Sequence, residues 1–408
     1  MKTILDIIRI PEVKIIFNLF KKEKNIYLVG GCIRNILSGK EIDDIDFSIG
    51  IKPSEVIEIL SKNRISFYDI GIKYGTVTAL INNKKFEITS CREDIDTDGR
   101  HAKVQYTKDI KLDSLRRDFT INAIYADRDG KIYDFHSGID DIENRQLNFI
   151  GTPKDRIKED YLRILRYFRF FGDFSDLNMN SELKKILKEE SINLNLVSKE
   201  RIWNEFKKII DQSNSLSSLS FMQETNILNV ISDQIILNEE YPKLMSIEKK
   251  INKPISFLLK LSILLDSSKV KVNNFLSVFS LNNEDSEKLS YLSELDFSIK
   301  SYLSIRESRK KLYRIGIENF QNLLILNWIK DQNIKNDLNW HALYEVAQSF
   351  EKPIFPFGAI DVIKMGIQEG PLVGKILDEL EEWWIDNDFI EDEHSIFERL
   401  KAICLSNK

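Results

Sequence analysis

The segment EIDDIDFSI carries two acidic residues that are spaced to bind a metal ion. Asp44 and Asp46 are two positions apart, so on an extended strand their carboxylates emerge on one face while Ile45 points to the other. Neighbouring carboxylates repel each other unless water or a cation neutralises them, and Mg²⁺ prefers such oxygen ligands together with substrate phosphates. A polar strand edge is the alternative explanation for this pair.

A third carboxylate, Glu87, lies in the alternating segment KKFEITSCR, where Phe86 and Ile88 are expected to point away from it. Three acids on adjacent strands could hold two divalent ions about 4 Å apart, one activating an attacking hydroxyl and one binding a triphosphate. Taken alone, the position of Glu87 favours an ordinary exposed strand residue.

The segment YLVGGCIRN places Gly30 and Gly31 between an apolar strand and a helix that is expected to begin near Cys32. Two glycines let the backbone approach a bulky anion, and the N–H groups at a helix N-terminus suit a triphosphate. Arg34 lies in the first turn of this helix. A tight turn explains a glycine pair equally well, so this segment alone leaves both explanations open.

The elements that position these groups change in character along the chain. From Asn25 to about Asp134, short runs of β-branched and aromatic residues alternate with helical stretches, which predicts an α/β region. Asp129-Gly130 is the predicted turn of a hairpin within it. Beyond Pro153, apolar residues recur every three or four positions, which predicts helices. The predicted helices are DRIKEDYLRILRYFRFF, SELKKILKEES, KERIWNEFKKIID, PISFLLKLSILL, EKLSYLSELDFSIKSYLSI and VGKILDELEEWWI.

The composition is that of a globular protein with more than one domain. The chain has 408 residues, which is more than one ordinary hydrophobic core holds. Its composition, 42% hydrophobic and 30% charged residues, excludes a disordered or membrane-spanning protein. Charges interrupt the apolar positions of the opening segment, so we expect no signal peptide, no membrane span and a cytoplasmic location. Three cysteines without ligand spacing argue against disulfides and zinc. The net charge of −5 is not typical of a nucleic-acid binder, although RIKEDYLRILRYFRFF concentrates arginines.

Taken together, the motifs resemble a known family. The segments YLVGGCIRN, DDIDF, KYGTVTALI, FEITSCR, DTDGRH, LRRDFTINAIYAD and RIKEDYLRILRYFRFF occur in the order and spacing of class II CCA-adding enzymes and bacterial poly(A) polymerases. That family belongs to the polymerase-beta-like nucleotidyltransferase superfamily. The resemblance runs from Tyr27 to Phe171 and is weaker beyond about Ser175.

The resemblance implies which residues bind the incoming nucleotide. In the family, the glycine pair and the arginine after it contact the nucleotide, which gives that role here to Gly30, Gly31 and Arg34. Arg117, in the segment RRDFT, would hold the triphosphate. Asp118, beside it, would face the ribose.

The resemblance also assigns the catalytic groups. The paired aspartates bind metal in the family, so Asp44 and Asp46 take that role, and Glu87 matches the third catalytic carboxylate. The segment EDIDTDGRHA resembles the mobile loop that the family uses when it switches from C to A addition, with Arg100 as its expected working residue. This loop favours full CCA synthesis over a partial reaction.

The segment EDYLRILR carries a candidate surface for reading a base. On a helix, Asp160, Arg163 and Arg166 are spaced by three and share one face. A carboxylate accepts hydrogen bonds from an exocyclic amino group and an arginine donates to ring acceptors, so Asp160 and Arg163 could recognise cytosine or adenine without a template. The resemblance adds Glu159, Arg166 and Arg169 to the nucleotide site. Ion pairing along an exposed helix is the alternative.

The expected fold is α+β: an N-terminal mixed α/β nucleotidyltransferase head (1–148), a helical neck with the base-recognition helix (149–215), and a helical body and tail that binds tRNA (216–408). The resemblance implies addition of C, C and A to the 3′ end of tRNA from CTP and ATP, with Mg²⁺ and contacts to the acceptor and T arms. A poly(A) polymerase, a CC- or A-adding enzyme and a non-catalytic RNA-binding remnant are the alternatives, and the oligomeric state is open. Candidate phosphate contacts, equally explained as ordinary surface residues, are Lys249, Lys250, Arg309, Lys310, Lys311 and Arg314.

Overall fold

A computed structural model describes residues 3–23, 25–42, 44–98, 101–174, 180–294, 299–390 and 392–407. By its internal contacts the chain divides into two compact units, Met1–Leu237 with Asn274–Leu281 and Asn238–Asn273 with Asn282–Lys408. The boundaries expected after residues 148 and 215 stay predictions. Among the described residues, no helix is long and apolar enough to cross a membrane.

The first unit contains a mixed β-sheet built from the strands that the alternating segments predict. Within the described residues, seven strands are ordered β3-β4-β5-β2-β1-β8-β9, and β6 pairs with β7 separately. Among these seven described strands, β2 and β5 run parallel, and the other neighbours are antiparallel. The strands are β1 (Ile26–Val29), β2 (Asp46–Ile49), β3 (Ser66–Tyr68), β4 (Thr76–Ile81), β5 (Lys84–Ser90), β6 (Arg92–Asp98), β7 (His101–Tyr106), β8 (Ile124–Ala126) and β9 (Ile132–Asp134).

One face of this sheet is apolar and buried, and the other carries the polar residues of the site. Phe47, Phe86 and Ile88 are at most 3% exposed, as the alternation predicts. On the opposite face, side chains from neighbouring strands form one row across the sheet, because residues that are paired across strands point to the same side. The row is Tyr125, Val29, Asp46, Glu87, Thr78 and Tyr68.

Helices surround the sheet in the first unit and make up the second, which confirms the α+β prediction. In the first unit they are α1 (Ile4–Arg9), α2 (Pro11–Leu19), α3 (Gly31–Leu37), α4 (Pro53–Lys62), α5 (Ile110–Leu115), α6 (Gly138–Glu143), α7 (Pro153–Glu159), α8 (Arg163–Phe174), α9 (Ser181–Glu190), α10 (Lys199–Asp211), α11 (Ser215–Glu224) and α12 (Ile227–Ile231). The helices that follow are α13 (Glu240–Ile251), α14 (Phe257–Leu264), α15 (Lys269–Val278), α16 (Asn283–Glu294), α17 (Ile305–Ile315), α18 (Ile317–Lys330), α19 (Asp337–Gln348), α20 (Ala359–Lys364), α21 (Pro371–Asp386) and α22 (Glu393–Ser406).

The single helix expected over 155–171 is interrupted at Asp160. Helix α7 ends at Glu159 and α8 begins at Arg163, while Asp160 itself is extended, with φ −154°. Its carboxylate accepts a hydrogen bond from Leu162 N at 3.2 Å. An aspartate that binds the backbone two residues further on favours a new helix start over a continuing helix. The prediction of one continuous helix was therefore wrong.

A second predicted helix, over 287–305, is also interrupted. Helix α16 ends at Glu294, and residues 299–304 are not helical. The hydroxyl of Ser304 accepts from Glu307 N at 3.2 Å and starts α17. Serine followed three residues later by glutamate is a capping box, which marks a helix start that the apolar spacing does not show.

The segment 93–102, expected to be a loop, is largely a hairpin. Strands β6 and β7 pair from Arg92 with Tyr106 to Asp98 with His101, with a register shift between Asp94 and Asp96. The apolar alternation of HAKVQY fits a strand. The role of this segment in switching from C to A addition stays a prediction. Arg100, the expected working residue, lies outside the described residues.

The second unit has its own apolar core, and several of its basic residues form ion pairs. Trp384 is 3% exposed and packs with Leu380 and Phe389, and α21 begins at Pro371 as predicted. Several basic residues proposed as phosphate contacts bind acidic side chains of the same unit. The pairs are Lys250 with Asp337, Arg309 with Asp388, Lys310 with Asp386 and Arg314 with Glu382.

Candidate active site

Three carboxylates lie close to the start of β2. Asp46 begins this strand and lies opposite Glu87 on β5, and Asp44 precedes the strand by two residues. Asp44 and Glu87 are exposed and Asp46 is half-buried. Burial, with the negative charges of Glu87 and Asp44, raises the pKa of the Asp46 carboxyl to about 6. The carboxylates therefore repel one another and attract a cation.

This donor set fits Mg²⁺ that is completed by substrate oxygens. Among the described residues, no three histidine, cysteine or acidic side chains are placed to hold a metal ion together. The two-ion site that uses all three acids stays a prediction. Mg²⁺ commonly uses one or two carboxylates plus substrate phosphates, and Asp44 and Asp46 supply such a pair.

A cavity of about 610 Å³, here called the basic cavity, opens beside the carboxylates. Asp44, Asp46 and Glu87 form part of its wall, together with Gly30 and Gly31. Its basic residues come from the sheet region and from two helices distant in sequence. They are Arg34, Arg116, Arg117, Arg163, Arg166, Arg169, Arg201 and Lys208. Such a cavity suits a polyphosphate whose α-phosphate must reach the carboxylates.

Gly30 and Arg34 lie where the nucleotide-binding prediction places them. Gly30 has φ +73°, a conformation that favours glycine, and α3 begins at the next residue. The Arg34 guanidinium donates to Asn122 Oδ1 at 2.6 Å and to Asn35 Oδ1 at 2.9 Å. Burial, followed by repulsion from Arg169, lowers the pKa of Arg34 to about 10. This arginine therefore lies in a cavity with an excess of positive charge.

Asp113 holds Arg117 and was missed by the sequence analysis. It is fully buried and accepts from Tyr125 OH at 2.8 Å, Arg116 Nε at 2.7 Å and Arg117 Nη2 at 3.3 Å. Burial raises the pKa of Asp113, but the charges of Arg117 and Arg116 outweigh this effect and bring it to about 2. Ser48 Oγ, two residues after Asp46, also donates to Asp113 at 3.3 Å. Asp113 thus connects the carboxylate strand to the arginine expected to hold the triphosphate.

Asp118, predicted to face the ribose, lines the basic cavity in an ion pair with Arg166. Arg166 Nε donates to Asp118 Oδ2 at 2.6 Å, and Asp118 Oδ1 accepts from Phe119 N at 2.9 Å. Burial raises the pKa of Asp118, but the charge of Arg166 outweighs it and holds the pKa far below its usual range. Arg169, one turn further along α8, donates to Glu205 on α10 at 2.9 Å. Arg166 and Arg169 on α8 are therefore both held by acidic residues outside that helix.

Asp160 and Arg163 line the basic cavity from two different elements. Arg201, on α10, donates through Nη2 to Asp160 Oδ2 at 2.8 Å. Arg163 donates to Glu159 Oε2 at 2.7 Å and to the Arg116 carbonyl at 3.2 Å. Glu159 itself is not part of the cavity lining among the described residues; it holds Arg163 instead.

The structure therefore brings nearly all predicted site residues to one cavity. Glu159 does not line the cavity but binds Arg163, which does, and Arg100 lies outside the described residues. Sequence reasoning missed the residues that orient the arginines and Asp160. One signal was available: KERIWNEFKKIID places Arg201 and Glu205 one turn apart on a predicted helix, where both can face one site. The residues that were missed are Asp113, Asn122, Tyr125, Arg201 and Glu205.

Two family models match the chain. One, described as the poly A polymerase head domain, matches residues 26–148. The other, described as the probable RNA and SrmB-binding site of polymerase A, matches residues 176–235. A solved structure, the Bacillus stearothermophilus CCA-adding enzyme in complex with CTP, has the same fold at 22% identity. Its TM-score is 0.70, and the match covers 100% of this chain and 99% of that one.

Curated relatives match over nearly the whole chain. The human mitochondrial CCA tRNA nucleotidyltransferase 1 is 30% identical over 95% of this chain and 89% of its own length. The CCA-adding enzyme of Streptococcus gordonii is 27% identical over 92% of each protein. These matches extend far beyond the motifs of the catalytic region. The chain belongs to the CCA tRNA nucleotidyltransferase family.

Proposed function

We propose that this chain adds C, C and A in turn to the 3′ end of tRNA, using CTP and ATP and releasing pyrophosphate. The observation that carries the proposal is the basic cavity, in which the arginines for a triphosphate border the carboxylates Asp44, Asp46 and Glu87. The relatives at 27–30% identity are named for this reaction.

In the proposed reaction, the 3′ oxygen of the RNA attacks the α-phosphorus of the nucleotide. A new phosphorus–oxygen bond forms, and the bond from the α-phosphorus to the bridging oxygen breaks, so that pyrophosphate leaves. Glu87 is exposed beside Asp46 and can accept the hydroxyl proton. Arg117 and Arg34 bind the phosphates and balance the charge that moves to pyrophosphate.

Mg²⁺ is the proposed cofactor, held by Asp44 and Asp46. When bound, it lowers the pKa of the attacking hydroxyl and neutralises phosphate charge. Burial and the negative charges of Glu87 and Asp44 raise the pKa of Asp46, and a bound cation would offset this repulsion, which supports the assignment.

Base selection is proposed to use Asp160 and Arg163. Asp160 keeps lone pairs for an exocyclic amino group, which cytosine and adenine carry and uracil lacks. Arg163 lies on the first turn of α8 with its guanidinium fixed by Glu159 and a backbone carbonyl. The carboxylate of Asp160 and the guanidinium of Arg163 are therefore oriented before a base binds.

The second candidate is a poly(A) polymerase, which the description of the matched head-domain model favours. It would use the same carboxylates and arginines but accept ATP alone on many RNA ends. A partial reaction, CC or A addition, is a further outcome of the same assay, and a non-catalytic RNA-binding protein is the last.

The test uses tRNA transcripts that end before CCA, after C and after CC. Each is incubated with the protein and Mg²⁺ and labelled CTP or ATP, alone and together. C addition on the first two ends and A addition only after CC would support CCA synthesis. Addition of C alone would identify a CC-adding enzyme, and addition of A alone to the CC end would identify an A-adding enzyme. Long A tails would identify a poly(A) polymerase. No incorporation would leave a non-catalytic RNA-binding protein.

The acceptor and T arms of tRNA are the proposed contacts of the helical half, and the cytoplasm is the proposed compartment. Cys32 and Cys91 are buried free thiols, which fits a reducing compartment. The human relative is mitochondrial, so the mitochondrial matrix is the alternative that fractionation of cells should test.

A further inference from the structure

A second cavity borders the catalytic carboxylates on the side away from the arginines. Its volume is also about 610 Å³, and Asp44, Asp46 and Glu87 belong to its wall as they do to that of the basic cavity. The rest of its lining comes from β3, β4 and β5 and from the residues around them. We call it the Tyr68 cavity; its other lining residues are Ile45, Tyr68, Ile70, Thr78 and Lys85.

Resting on the proposed function, we propose that the Tyr68 cavity binds the 3′-terminal nucleotide of the RNA that is extended, with its base stacked on Tyr68. Transfer requires the attacking hydroxyl and the α-phosphate to meet at the same carboxylates. The basic cavity supplies the place for the triphosphate. The Tyr68 cavity shares all three carboxylates, so a group bound in it can present its hydroxyl to them.

The register of the sheet fixes the geometry of this site. Tyr68 pairs with Thr78, Thr78 with Glu87 and Glu87 with Asp46, so their side chains lie in one row on one face of the sheet. Three strand spacings separate Tyr68 from Asp46, or about 14 Å at the usual spacing. This distance leaves room for one nucleotide between the tyrosine ring and the carboxylates.

The chemistry of the lining fits a nucleotide end and does not fit a triphosphate. Lys85 is its only cationic group among the described residues, whereas many arginines line the basic cavity. Tyr68 is 47% exposed and Ile70 is 87% exposed, so apolar surface is open to solvent beside the catalytic centre. Bases of single-stranded RNA stack on such aromatic faces without sequence preference.

Lys85 completes the site with a single positive charge. It lies two residues before Glu87 on β5, and therefore on the same face of the strand. Its ammonium group lies 5.9 Å from the centre of the Tyr68 ring. A lone lysine beside a stacking ring suits the phosphodiester that precedes the terminal nucleotide.

The test compares Tyr68→Ala with Tyr68→Phe on tRNA ending in CC. Loss of one base–aromatic stack should raise the KM for tRNA about tenfold in Tyr68→Ala, while the KM for ATP stays unchanged. Tyr68→Phe keeps the ring and should behave like the wild type. Tyr74→Ala is the matched control, because Tyr74 is 70% exposed in the same segment but does not line the cavity.

A tRNA whose 3′-terminal nucleotide lacks its base separates stacking from a general effect on folding. We expect the KM of the wild type for this abasic tRNA to be raised by the same factor of about ten. Tyr68→Ala should raise the KM for the abasic tRNA no further. An equal effect of Tyr68→Ala on normal and abasic ends, an equal effect of Tyr74→Ala, or a raised KM for ATP alone would overturn the inference. Absence of incorporation by the wild type on any end would instead overturn the proposed function and this inference with it.

Discussion

Arg201 and Asp160 form an ion pair, with 2.8 Å between Arg201 Nη2 and Asp160 Oδ2, although 41 residues separate them in the chain. The pair joins α10 to the turn between α7 and α8, and both residues line the basic cavity. The side chain of Arg201 is 41% exposed and that of Asp160 is 27% exposed. The pair therefore contributes little to folding, and its importance is that it orients the carboxylate expected to read the base.

Arg201→Ala is expected to weaken base selection without unfolding the protein. Removal of an exposed ion pair changes the free energy of unfolding by less than about 1 kcal/mol. Freed from Arg201, Asp160 can turn away from the base, so the kcat/KM for CTP and ATP should fall and UTP incorporation should rise. Chemical denaturation and single-nucleotide incorporation measure the two effects, with Asn204→Ala, an exposed change on the same helix, as the control. Unchanged selectivity would show that Arg201 does not orient Asp160.

Asp160→Ala should reduce discrimination against UTP by about tenfold or more, the contribution of one specific contact to a base edge. The matched control is Lys158→Ala, because Lys158 is exposed on the neighbouring helix α7 and is not part of the cavity lining. That change should leave the kcat/KM for CTP and ATP and the rejection of UTP intact. If Asp160→Ala kept full selectivity, the assignment of Asp160 to base reading would be wrong.

Asp46→Asn should remove incorporation while tRNA binding and folding persist. The carboxylate is needed for the proposed metal, but it is repelled by Glu87 and Asp44 in the folded protein. Its neutral replacement relieves this repulsion, so the melting temperature in metal-free buffer should be equal to or above that of the wild type. Scanning calorimetry and a tRNA binding assay check this, with the exposed Asp129→Asn as control. A lower melting temperature would mean that Asp46 is mainly structural.

Asp113→Asn should destabilise the protein by about 3–5 kcal/mol near neutral pH, because it leaves buried arginine charge uncompensated. The KM for both nucleotides should also rise, since Arg117 loses its anchor. Tyr125→Phe removes the hydrogen bond from the hydroxyl to the same carboxylate and the one that the hydroxyl accepts from Arg117 Nε, and should cost about 2 kcal/mol. Equal losses for the two variants would contradict the central role of Asp113.

The pH dependence of that difference follows from the pKa of Asp113. The pKa of about 2 in the folded protein lies below the unfolded value near 3.8. A group with a lowered pKa stabilises the fold above its unfolded pKa, and this contribution is lost as the pH falls towards the folded value. The difference in unfolding free energy between wild type and Asp113→Asn should therefore be constant above about pH 5 and shrink between pH 4 and 2. A difference that grew on acidification would contradict the assigned ion pairs.

Local patterns in the sequence predicted the parts of the site that lie on one strand or one turn. The alternation around Asp46 and Glu87 placed these two carboxylates correctly, because strand periodicity determines which face a side chain takes. Asp44 precedes the strand and lines the same cavity. The glycine pair at the start of α3 was equally visible. The helix over 199–211 was predicted to the residue, since its apolar spacing is regular.

What could not be predicted depends on contacts between distant segments. Arg201 meets Asp160, Glu205 meets Arg169 and Arg166 meets Asp118 only after the chain has folded. The break at Asp160 was hidden because the i,i+3 spacing of its charged neighbours fits a helix, whereas its bond to Leu162 N ends one. Asp113 looked like an ordinary polar helix residue, and its burial became apparent only with the sheet beneath it.

The most direct test supplies a tRNA transcript lacking CCA with all four nucleoside triphosphates at equal concentration, Mg²⁺ and the protein, and sequences the product ends. The account predicts that each tRNA gains C, C and A in that order and then no further nucleotide, because the protein alone selects each base. Tails of A, mixed nucleotides at the three positions, or unextended tRNA would contradict it.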